Sequence, residues 1–150
     1  MNTIVTGGAG FIGSHLVEHL ISLRHKVTVL DNFSTGRSEN LDHLIKKIKI
    51  IECDLNNEDK LNKILENVDW VFHLAALADI VPSIQDPQKY FNANVSGTIN
   101  LLKACSANNV SKLIYSASSS CYGIPSVYPT PEEATINPQY PYALTKRMGE

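Results

Sequence analysis

The chain has 150 residues, of which 43% are hydrophobic and 19% are charged, and its formal net charge at pH 7 is −2. This length predicts one domain that buries a core of its own. Nucleic acid and membrane are not expected as partners, because the sequence contains neither a basic stripe nor an apolar run approaching the roughly 20 residues of a membrane span.

The first 31 residues predict a nucleotide-binding unit. A short apolar strand over residues 3–6 leads into a glycine-rich turn over residues 7–13, and an amphipathic helix follows. A second apolar strand, over residues 27–30, ends on Asp31. Strand, glycine turn, helix, strand and terminal acid at this spacing are typical of dinucleotide-binding folds. The alternative is a glycine turn that merely packs a helix against a sheet.

Each part of this unit has a physical role in binding. Glycines allow a tight turn and a close approach of the backbone to a pyrophosphate, and the helix N-terminus offers N–H groups and a positive dipole end. Asp31 can accept hydrogen bonds from the adenosine ribose, and its charge repels the additional 2′-phosphate of NADP. These features predict NAD as the cofactor, a preference that the nearby Arg37 weakens.

Helices and strands continue to alternate along the rest of the chain. Three further strands are predicted from apolar runs, at residues 48–51, 69–74 and 112–115. Helices are predicted at residues 41–47, 58–67, 88–108 and from Pro141 onward, and loops at residues 32–40, around Pro82 and Pro87, and at 125–138. This alternation predicts an α/β fold: a doubly wound parallel (Rossmann) sheet of five strands in the order 3-2-1-4-5.

A candidate reactive site follows from that strand order. The loops after strands 1, 4 and 5 meet at the point where the strand order reverses, which is where such folds bind ligands. Tyr142 and Lys146 lie four residues apart and therefore on one face of the last helix. Because a free tyrosine has a pKa of about 10, a phenolate at pH 7 costs roughly 4 kcal/mol. A cation about 4 Å away returns on the order of 4 kcal/mol, so Tyr142 could act as a general base on a sugar or alcohol hydroxyl.

Short motifs along the whole chain match one known family. They are Thr-Gly-Gly-Ala-Gly-Phe-Ile-Gly at residues 6–13, Asp-Asn-Phe-Ser-Thr-Gly at 31–36, Asp54-Leu55, His-Leu-Ala-Ala at 73–76, Asn-Val-Ser-Gly-Thr at 94–98, Ser118, and Tyr142 with Lys146. Together they resemble the extended short-chain dehydrogenase/reductase family, and within it the nucleotide-sugar epimerases of the UDP-glucose 4-epimerase type.

The resemblance implies roles for individual residues. Tyr142 is the implied catalytic base, Lys146 tunes it and holds the nicotinamide ribose, and Ser118 hydrogen-bonds the O4 atom of the sugar. Ser118 and Tyr142 are therefore also the implied substrate-binding residues. The implied NAD-binding residues are Gly7, Gly10, Phe11, Ile12, Gly13, Asp31, Asn32, Phe33, Ser34, Thr35, Gly36, Asp54, Leu55, Leu74, Ala75, Ala76, Ala78, Asn94, Tyr142 and Lys146.

The implied reaction is NAD-dependent epimerisation of a UDP-hexose. It proceeds by transient oxidation at C4 to a 4-keto sugar and return of the hydride to the opposite face. The related 4,6-dehydratases place an Asp-Glu pair directly after the catalytic hydroxyl residue, whereas this chain has Ser119 and Ser120. A non-catalytic NAD-binding module, or another extended-family enzyme such as a keto-sugar reductase or dehydratase, remains an alternative.

Members of this family continue for roughly another domain beyond the catalytic helix. Residues 1–150 are therefore expected to be an NAD-binding domain that is truncated before the sixth strand, with the substrate domain absent from this chain. Full activity is expected only with the C-terminal half. The resemblance also makes a homodimer possible, through the helices at residues 88–108 and 141–150.

Cysteine and histidine usage predicts no metal or disulfide framework. Cys53, Cys105 and Cys121 are odd in number and far apart, which predicts reduced thiols in a cytoplasmic protein. His15 and His19 have the i, i+4 spacing of a metal pair, but the sequence offers no evident third ligand.

Overall fold

A computed structural model describes all residues, 1–150, and places five parallel strands in one sheet. The strands are β1 (Asn2–Thr6), β2 (Lys26–Asp31), β3 (Lys49–Glu52), β4 (Trp70–His73) and β5 (Lys112–Tyr115). Their order is β3-β2-β1-β4-β5, which confirms the predicted fold class and strand order. The registers pair Thr6 with Leu30 and with His73, and His73 with Tyr115, so the carboxyl ends of four strands lie side by side.

Six α-helices connect or follow the strands. They are α1 (Phe11–Ser22), α2 (Glu58–Ile64), α3 (Ile80–Gln85), α4 (Pro87–Phe91), α5 (Gly97–Ala107) and α6 (Pro141–Gly149). None of them combines the length and the apolar composition that a membrane crossing needs.

Several predicted boundaries differ from the structure. The helix predicted at residues 41–47 is a 3₁₀ helix, Ser38–Leu44, and the helix predicted at residues 58–67 ends at Ile64. The earlier end is consistent with Asn67, whose φ of 60° cannot continue an α-helix. The loop predicted around Pro82 contains α3, because proline is tolerated in the first turn of a helix.

The helix predicted at residues 88–108 is continuous but not uniform. A five-residue π-helical segment, Asn92–Ser96, separates α4 from α5, and the residues that flank the segment keep right-handed helical backbone angles. Such a segment inserts an extra residue into the helical turn and so changes which side chains face inward. Asn94 and Val95 in this segment are buried.

The core consists of two clusters, one on each face of the sheet. Alternate strand residues point to opposite faces, so Ile4 and Leu30 belong to the cluster that includes Leu61 and Leu101. Val5 and Val29, which are adjacent to them in sequence, belong to the cluster on the other face. That cluster includes Val17 and Leu20 of α1. Burial on both faces leaves the carboxyl edge of the sheet as the place where the loops can form a site.

Candidate functional site

The glycine turn brings the backbone of β1 against the end of β4. Gly7 has a φ of +68°, and a methyl group there would lie 2.7 Å from the backbone nitrogen of Ala75. A methyl group at Gly13 would overlap the carbonyl oxygen of Gly7. Gly10 caps α1, and no side chain makes a capping hydrogen bond at this end of the helix. The turn is thus a cradle that only glycine permits, at a helix end suited to an anion.

Asp31 lies at the end of β2 with its carboxylate directed at the glycine turn. Its Oδ2 accepts a hydrogen bond from the backbone nitrogen of Ala9 at 2.9 Å, and its Oδ1 accepts one from Phe33 at 2.9 Å. These bonds hold the carboxylate in one orientation although the residue is only 7% exposed. Each oxygen has a second lone pair, so the carboxylate can still accept from a ribose hydroxyl.

A groove runs along the carboxyl edge of the sheet between these loops. It is lined by predicted cofactor residues from four segments of the chain: Gly7, Gly10, Asp31, Asn32, Ser34, Thr35, Gly36, Asp54, Leu55, Leu74, Ala75 and Ala76. Four further residues line it that sequence reasoning missed: Leu30, Cys53, Leu77 and Ala93. Ala93 belongs to the π-helical segment, which gave no signal in the sequence.

Asp54 lines this groove and is hydrogen-bonded to two asparagines. Its Oδ2 accepts from the side-chain amide of Asn32 at 2.9 Å, and its Oδ1 accepts from the backbone and side-chain nitrogens of Asn56. Burial raises the pKa of Asp54, but the hydrogen bonds from Asn56 and Asn32 outweigh it and hold the pKa below its ordinary value. The carboxylate is therefore charged at neutral pH.

Ser118 and Tyr142 meet at the other end of the same edge. The Tyr142 hydroxyl donates to the Ser118 Oγ at 3.4 Å, and the backbone nitrogen of Ser120 donates to the same oxygen at 3.2 Å. Ser118 caps the 3₁₀ helix Ser119–Tyr122 in this way. Because the Ser118 oxygen accepts both bonds, its own hydrogen is left to be donated to another group.

Lys146 is buried beside the same loop. Its Nζ donates to the carbonyl oxygen of Ser116 at 2.6 Å and lies 4.2 Å from the centre of the Tyr115 ring. Burial lowers the pKa of Lys146 to about 8, although the charge of Glu150 partly opposes this effect. Burial also raises the pKa of Tyr115 to about 12, so its ring is neutral. The ammonium group is thus held by a carbonyl and a ring face, without a carboxylate partner among these contacts.

Asn94 connects the loop after β4 to the helix that carries Tyr142 and Lys146. Its side chain accepts from the backbone nitrogen of Leu77 at 2.8 Å and donates to the Leu77 carbonyl at 2.9 Å. The same amide donates to the Thr145 Oγ1 at 3.0 Å. These bonds make Asn94 a support between two parts of the site, and it is not among the residues that line the groove, whereas the family resemblance implies that it binds NAD.

The structure distributes the remaining predicted residues around the groove rather than in its lining. Phe11 and Ile12 are exposed in the first turn of α1, and Gly13 packs beneath the glycine turn. Phe33 adopts a φ of 55° next to Asp31, and Ala78 lies in the loop after β4.

The Nδ1 atom of His15 contacts the Phe11 carbonyl, and no group of three or more His, Cys, Asp or Glu side chains is placed to hold a metal ion.

Comparison with known proteins places this chain in a family. Residues 3–150 match the model of the NAD dependent epimerase/dehydratase family. A UDP-glucose 4-epimerase from Lactobacillus helveticus is 40% identical over 152 residues, which cover 100% of this chain and 45% of that protein. The chain thus spans about half the length of the curated relatives it matches.

Two solved structures share the fold closely. The UDP-N-acetylglucosamine 4-epimerase from Methanobrevibacter ruminantium M1, in complex with UDP-N-acetylmuramic acid, has a TM-score of 0.93 and 44% identity, covering 99% of this chain and 48% of that one. The UDP-glucose 4-epimerase from Brucella ovis, in complex with NAD, has a TM-score of 0.92 and 37% identity, covering 99% of this chain and 45% of that one.

Proposed function

This chain belongs to the NAD dependent epimerase/dehydratase family, and we propose that residues 1–150 form the NAD-binding half of a nucleotide-sugar 4-epimerase that acts on a UDP-hexose. The single observation that carries this proposal is the hydrogen bond between Tyr142 and Ser118 beside the buried Lys146. The relatives contain about as much chain again. We propose that turnover requires that second half, because distant substrate groups supply much of the binding energy that drives catalysis.

The groove fits a dinucleotide that carries no 2′-phosphate. The cradle at Gly7 and Gly13 would receive the pyrophosphate at the N-terminus of α1, and Asp31 would bind the adenosine ribose. A methyl group at either glycine would collide with the backbone. The requirement for glycine at both positions supports the turn as the binding site of the pyrophosphate. The Asp31 carboxylate, without a cationic partner among its contacts, supports NAD over NADP.

The reactive residues divide the proton chemistry between them. The free hydrogen of Ser118 would be donated to the sugar O4, and Tyr142 would accept the O4 proton as general base. For this, Tyr142 would have to release its own proton to solvent before the sugar binds, and the ammonium of Lys146 would stabilise the resulting phenolate. The glycine turn and Asp31 would hold NAD, which would supply the hydride acceptor and donor that inversion at C4 needs.

Ser119 and Ser120 support epimerisation over dehydration. Both belong to the 3₁₀ turn that directly follows Ser118, and neither can supply the acid that elimination of water needs. Epimerisation needs no such acid, because the proton removed from O4 is returned to the same oxygen. The side chain of this segment that satisfies the backbone is that of Ser118, whose Oγ accepts from the backbone nitrogen of Ser120.

We further propose that two copies associate through α4, α5 and α6. All three helices carry exposed apolar side chains: Phe91, Ile99, Leu102, Leu144 and Met148. Of these, Phe91, Leu144 and Met148 line one groove. A surface of this kind on a single protein indicates an interface.

The cysteines, all free and buried, support a reducing compartment such as the cytoplasm.

A comparison of the wild-type chain with Tyr142→Phe tests the proposed function. We expect both to bind NAD in calorimetric titrations, because the phenol hydroxyl contacts Ser118 and the glycine turn and Asp31 remain intact. We expect conversion of UDP-galactose to UDP-glucose only when a fragment corresponding to the second half of a relative is added. Tyr142→Phe should lower that rate by about a hundredfold or more, since general bases contribute 10²–10⁴-fold.

The possible outcomes separate the candidate functions. Turnover by Tyr142→Phe at the wild-type rate would contradict the assignment of the base. NAD binding without turnover in any mixture would support a non-catalytic module. Net consumption of the oxidised or reduced cofactor would support a keto-sugar reductase, because an epimerase regenerates NAD in each cycle.

A further inference from the structure

His73 is a buried titratable residue to which the proposed chemistry gives no role. It ends β4, is 1% exposed, and lies between the cofactor-binding turn and the π-helical segment. Its Nδ1 lies 2.7 Å from the Thr6 Oγ1, and its Nε2 lies 2.8 Å from the Thr98 Oγ1. Thr6 immediately precedes Gly7, and Thr98 lies in the first turn of α5.

The neighbouring hydrogen bonds determine which nitrogen of His73 carries the proton. The Thr98 hydroxyl donates its only hydrogen to the carbonyl oxygen of Asn94 at 2.6 Å. Thr98 can therefore only accept from His73, so the proton must be on Nε2.

The other nitrogen of a neutral imidazole is an acceptor, so the Thr6 hydroxyl must donate to Nδ1. The Thr6 oxygen then remains free to accept from the backbone nitrogen of Ala75, which lies 3.2 Å away. One set of hydrogen-bond directions therefore satisfies every group in this series, which runs from Ala75 through Thr6, His73 and Thr98 to Asn94. A second proton on His73 would leave the Thr6 hydroxyl without this acceptor.

We infer that His73 is a positioning residue whose imidazole, with its proton on Nε2, ties the glycine turn to the helix that carries Asn94. This inference rests on the proposed function, since the turn is the proposed NAD cradle. Asn94 continues the connection through Thr145, whose hydroxyl donates to the Tyr142 carbonyl at 2.8 Å. His73 thus fixes the spacing between the cofactor turn and the helix of the proposed base.

The surroundings of His73 keep it neutral. Burial, together with the positive charge of Lys146, lowers the pKa of His73 to about 3. The other titratable group beside it is Tyr115, whose ring centre lies 5.5 Å away and which is itself neutral. The connection should therefore be unaffected by pH across the range in which an ordinary histidine titrates.

Nitrogen NMR of the wild-type chain tests the hydrogen-bond directions without any cofactor. Long-range ¹H–¹⁵N spectra should show a protonated Nε2 and an unprotonated Nδ1 for His73, with shifts that stay constant from about pH 5 to about pH 8. A proton on Nδ1, or titration of His73 within that range, would overturn the inference. The result of this measurement does not depend on whether the chain binds NAD.

Substitutions test the positioning role. Thr6→Val and Thr98→Val each remove one hydroxyl that contacts His73, and we expect each to weaken NAD binding about tenfold. Thr6→Ser and Thr98→Ser keep the hydroxyl and should restore wild-type affinity. His25→Phe is the matched control, because it removes a similar imidazole–threonine bond, to Thr3, at the opposite end of β1.

Each outcome bears on one proposal only. Wild-type affinity in both valine variants, or failure of both serine variants to restore it, would overturn the positioning role. Weaker binding by His25→Phe to the same degree would also overturn it, since a general loss of stability would then explain the effect. A wild-type chain that binds no NAD would contradict the proposed function, while the NMR result would still decide the state of His73.

Discussion

Individual charged residues at this site are held by backbone groups rather than by opposite charges. Lys146 donates to the Ser116 carbonyl, and Asp31 accepts from the backbone nitrogens of Ala9 and Phe33. Hydrogen bonds of this kind orient a charge without neutralising it. The charges therefore stay available for a ligand, at some expense in stability where burial disfavours the charged form.

Replacement of Lys146 by methionine should stabilise the chain near neutral pH. The lowered pKa of about 8 means that the folded state binds the Lys146 proton less tightly than the unfolded state does. Relative to Lys146→Met, the wild type should be less stable by about 1–3 kcal/mol below pH 8. This deficit should shrink as the pH rises from about 8 towards 10.4, the ordinary lysine value. Urea unfolding at several pH values measures the difference.

Lys103→Met serves as the control for this experiment, because Lys103 is exposed. Its effect on stability should be within about 0.5 kcal/mol and should not depend on pH in the same way. A difference between wild type and Lys146→Met that stays constant from pH 7 to pH 10 would contradict the prediction.

Asp31→Asn should weaken NAD binding and reduce the preference over NADP. An amide has one acceptor oxygen, so the backbone nitrogen of either Ala9 or Phe33 loses its partner, which costs about 1–3 kcal/mol. We expect NAD affinity to fall about tenfold or more, with a smaller loss for NADP because the repelling charge is gone. Calorimetric titration with both cofactors measures this, and the exposed Asp42→Asn should leave both affinities unchanged.

Among the secondary-structure elements, the long helix between β4 and β5 contributes most to the arrangement of the site. Its π-helical segment, Asn92–Ser96, places Asn94 in the interior and Ala93 on the groove. A uniform α-helix over the same residues would change which side chains face inward. The segment therefore lets one helix pack against the sheet through α5 and still reach the loop after β4.

Asn94→Leu should destabilise the chain by about 2–4 kcal/mol. Leucine has a similar volume, but it leaves the backbone groups of Leu77 and the Thr145 hydroxyl without their partner. Urea unfolding gives the free energy, and hydrogen exchange at the Leu77 amide reports the local effect. Asn92→Leu is the control, because Asn92 is exposed on the same segment, and we expect a change within about 0.5 kcal/mol. Equal effects of the two substitutions would contradict the role assigned to Asn94.

The whole molecule has two unlike surfaces: the carboxyl edge of the sheet, which holds the site, and an apolar surface on α4, α5 and α6. Tyr142 and Lys146 lie on the inner side of α6, where Lys146 is buried, whereas Leu144 and Met148 are exposed. One helix thus connects the proposed reactive group to the proposed dimer interface. Association of two copies would support the site by holding α6 in place.

Leu144→Glu and Met148→Glu should prevent association of the chain. A charge placed in an apolar interface must be desolvated, and two-fold symmetry would bring it close to its own copy. We expect the dissociation constant of the dimer to rise about a hundredfold or more, measured by sedimentation equilibrium. Leu23→Glu is the control, because it changes a similarly exposed side chain at the end of α1. It should leave the molecular mass measured by sedimentation the same as that of the wild type. A wild-type chain that sediments as a monomer at all concentrations would contradict the proposed dimer.

Much of this arrangement was predictable where residues close in sequence determine it. The glycine turn, the alternation of strands and helices and the strand order were predicted from local patterns, and the structure confirms them. The family resemblance is confirmed by the match over residues 3–150. Helix bounds were less predictable: α3 forms where Pro82 indicated a loop, and the 3₁₀ helix Ser38–Leu44 begins and ends earlier than the helix predicted at residues 41–47.

By itself, the sequence determined the chemistry that is available: which residues are glycines, which carry charge, and which lie one helical turn apart. Periodicity and motif spacing are local properties, so they specify the fold class and the candidate residues. Only the tertiary structure decided how these residues are connected. The hydrogen bonds from Thr6 through His73 to Thr98, and from Asn94 to Thr145, join residues up to 67 positions apart. Such contacts exist only after the sheet and its helices have packed, because packing alone brings these groups within hydrogen-bond distance.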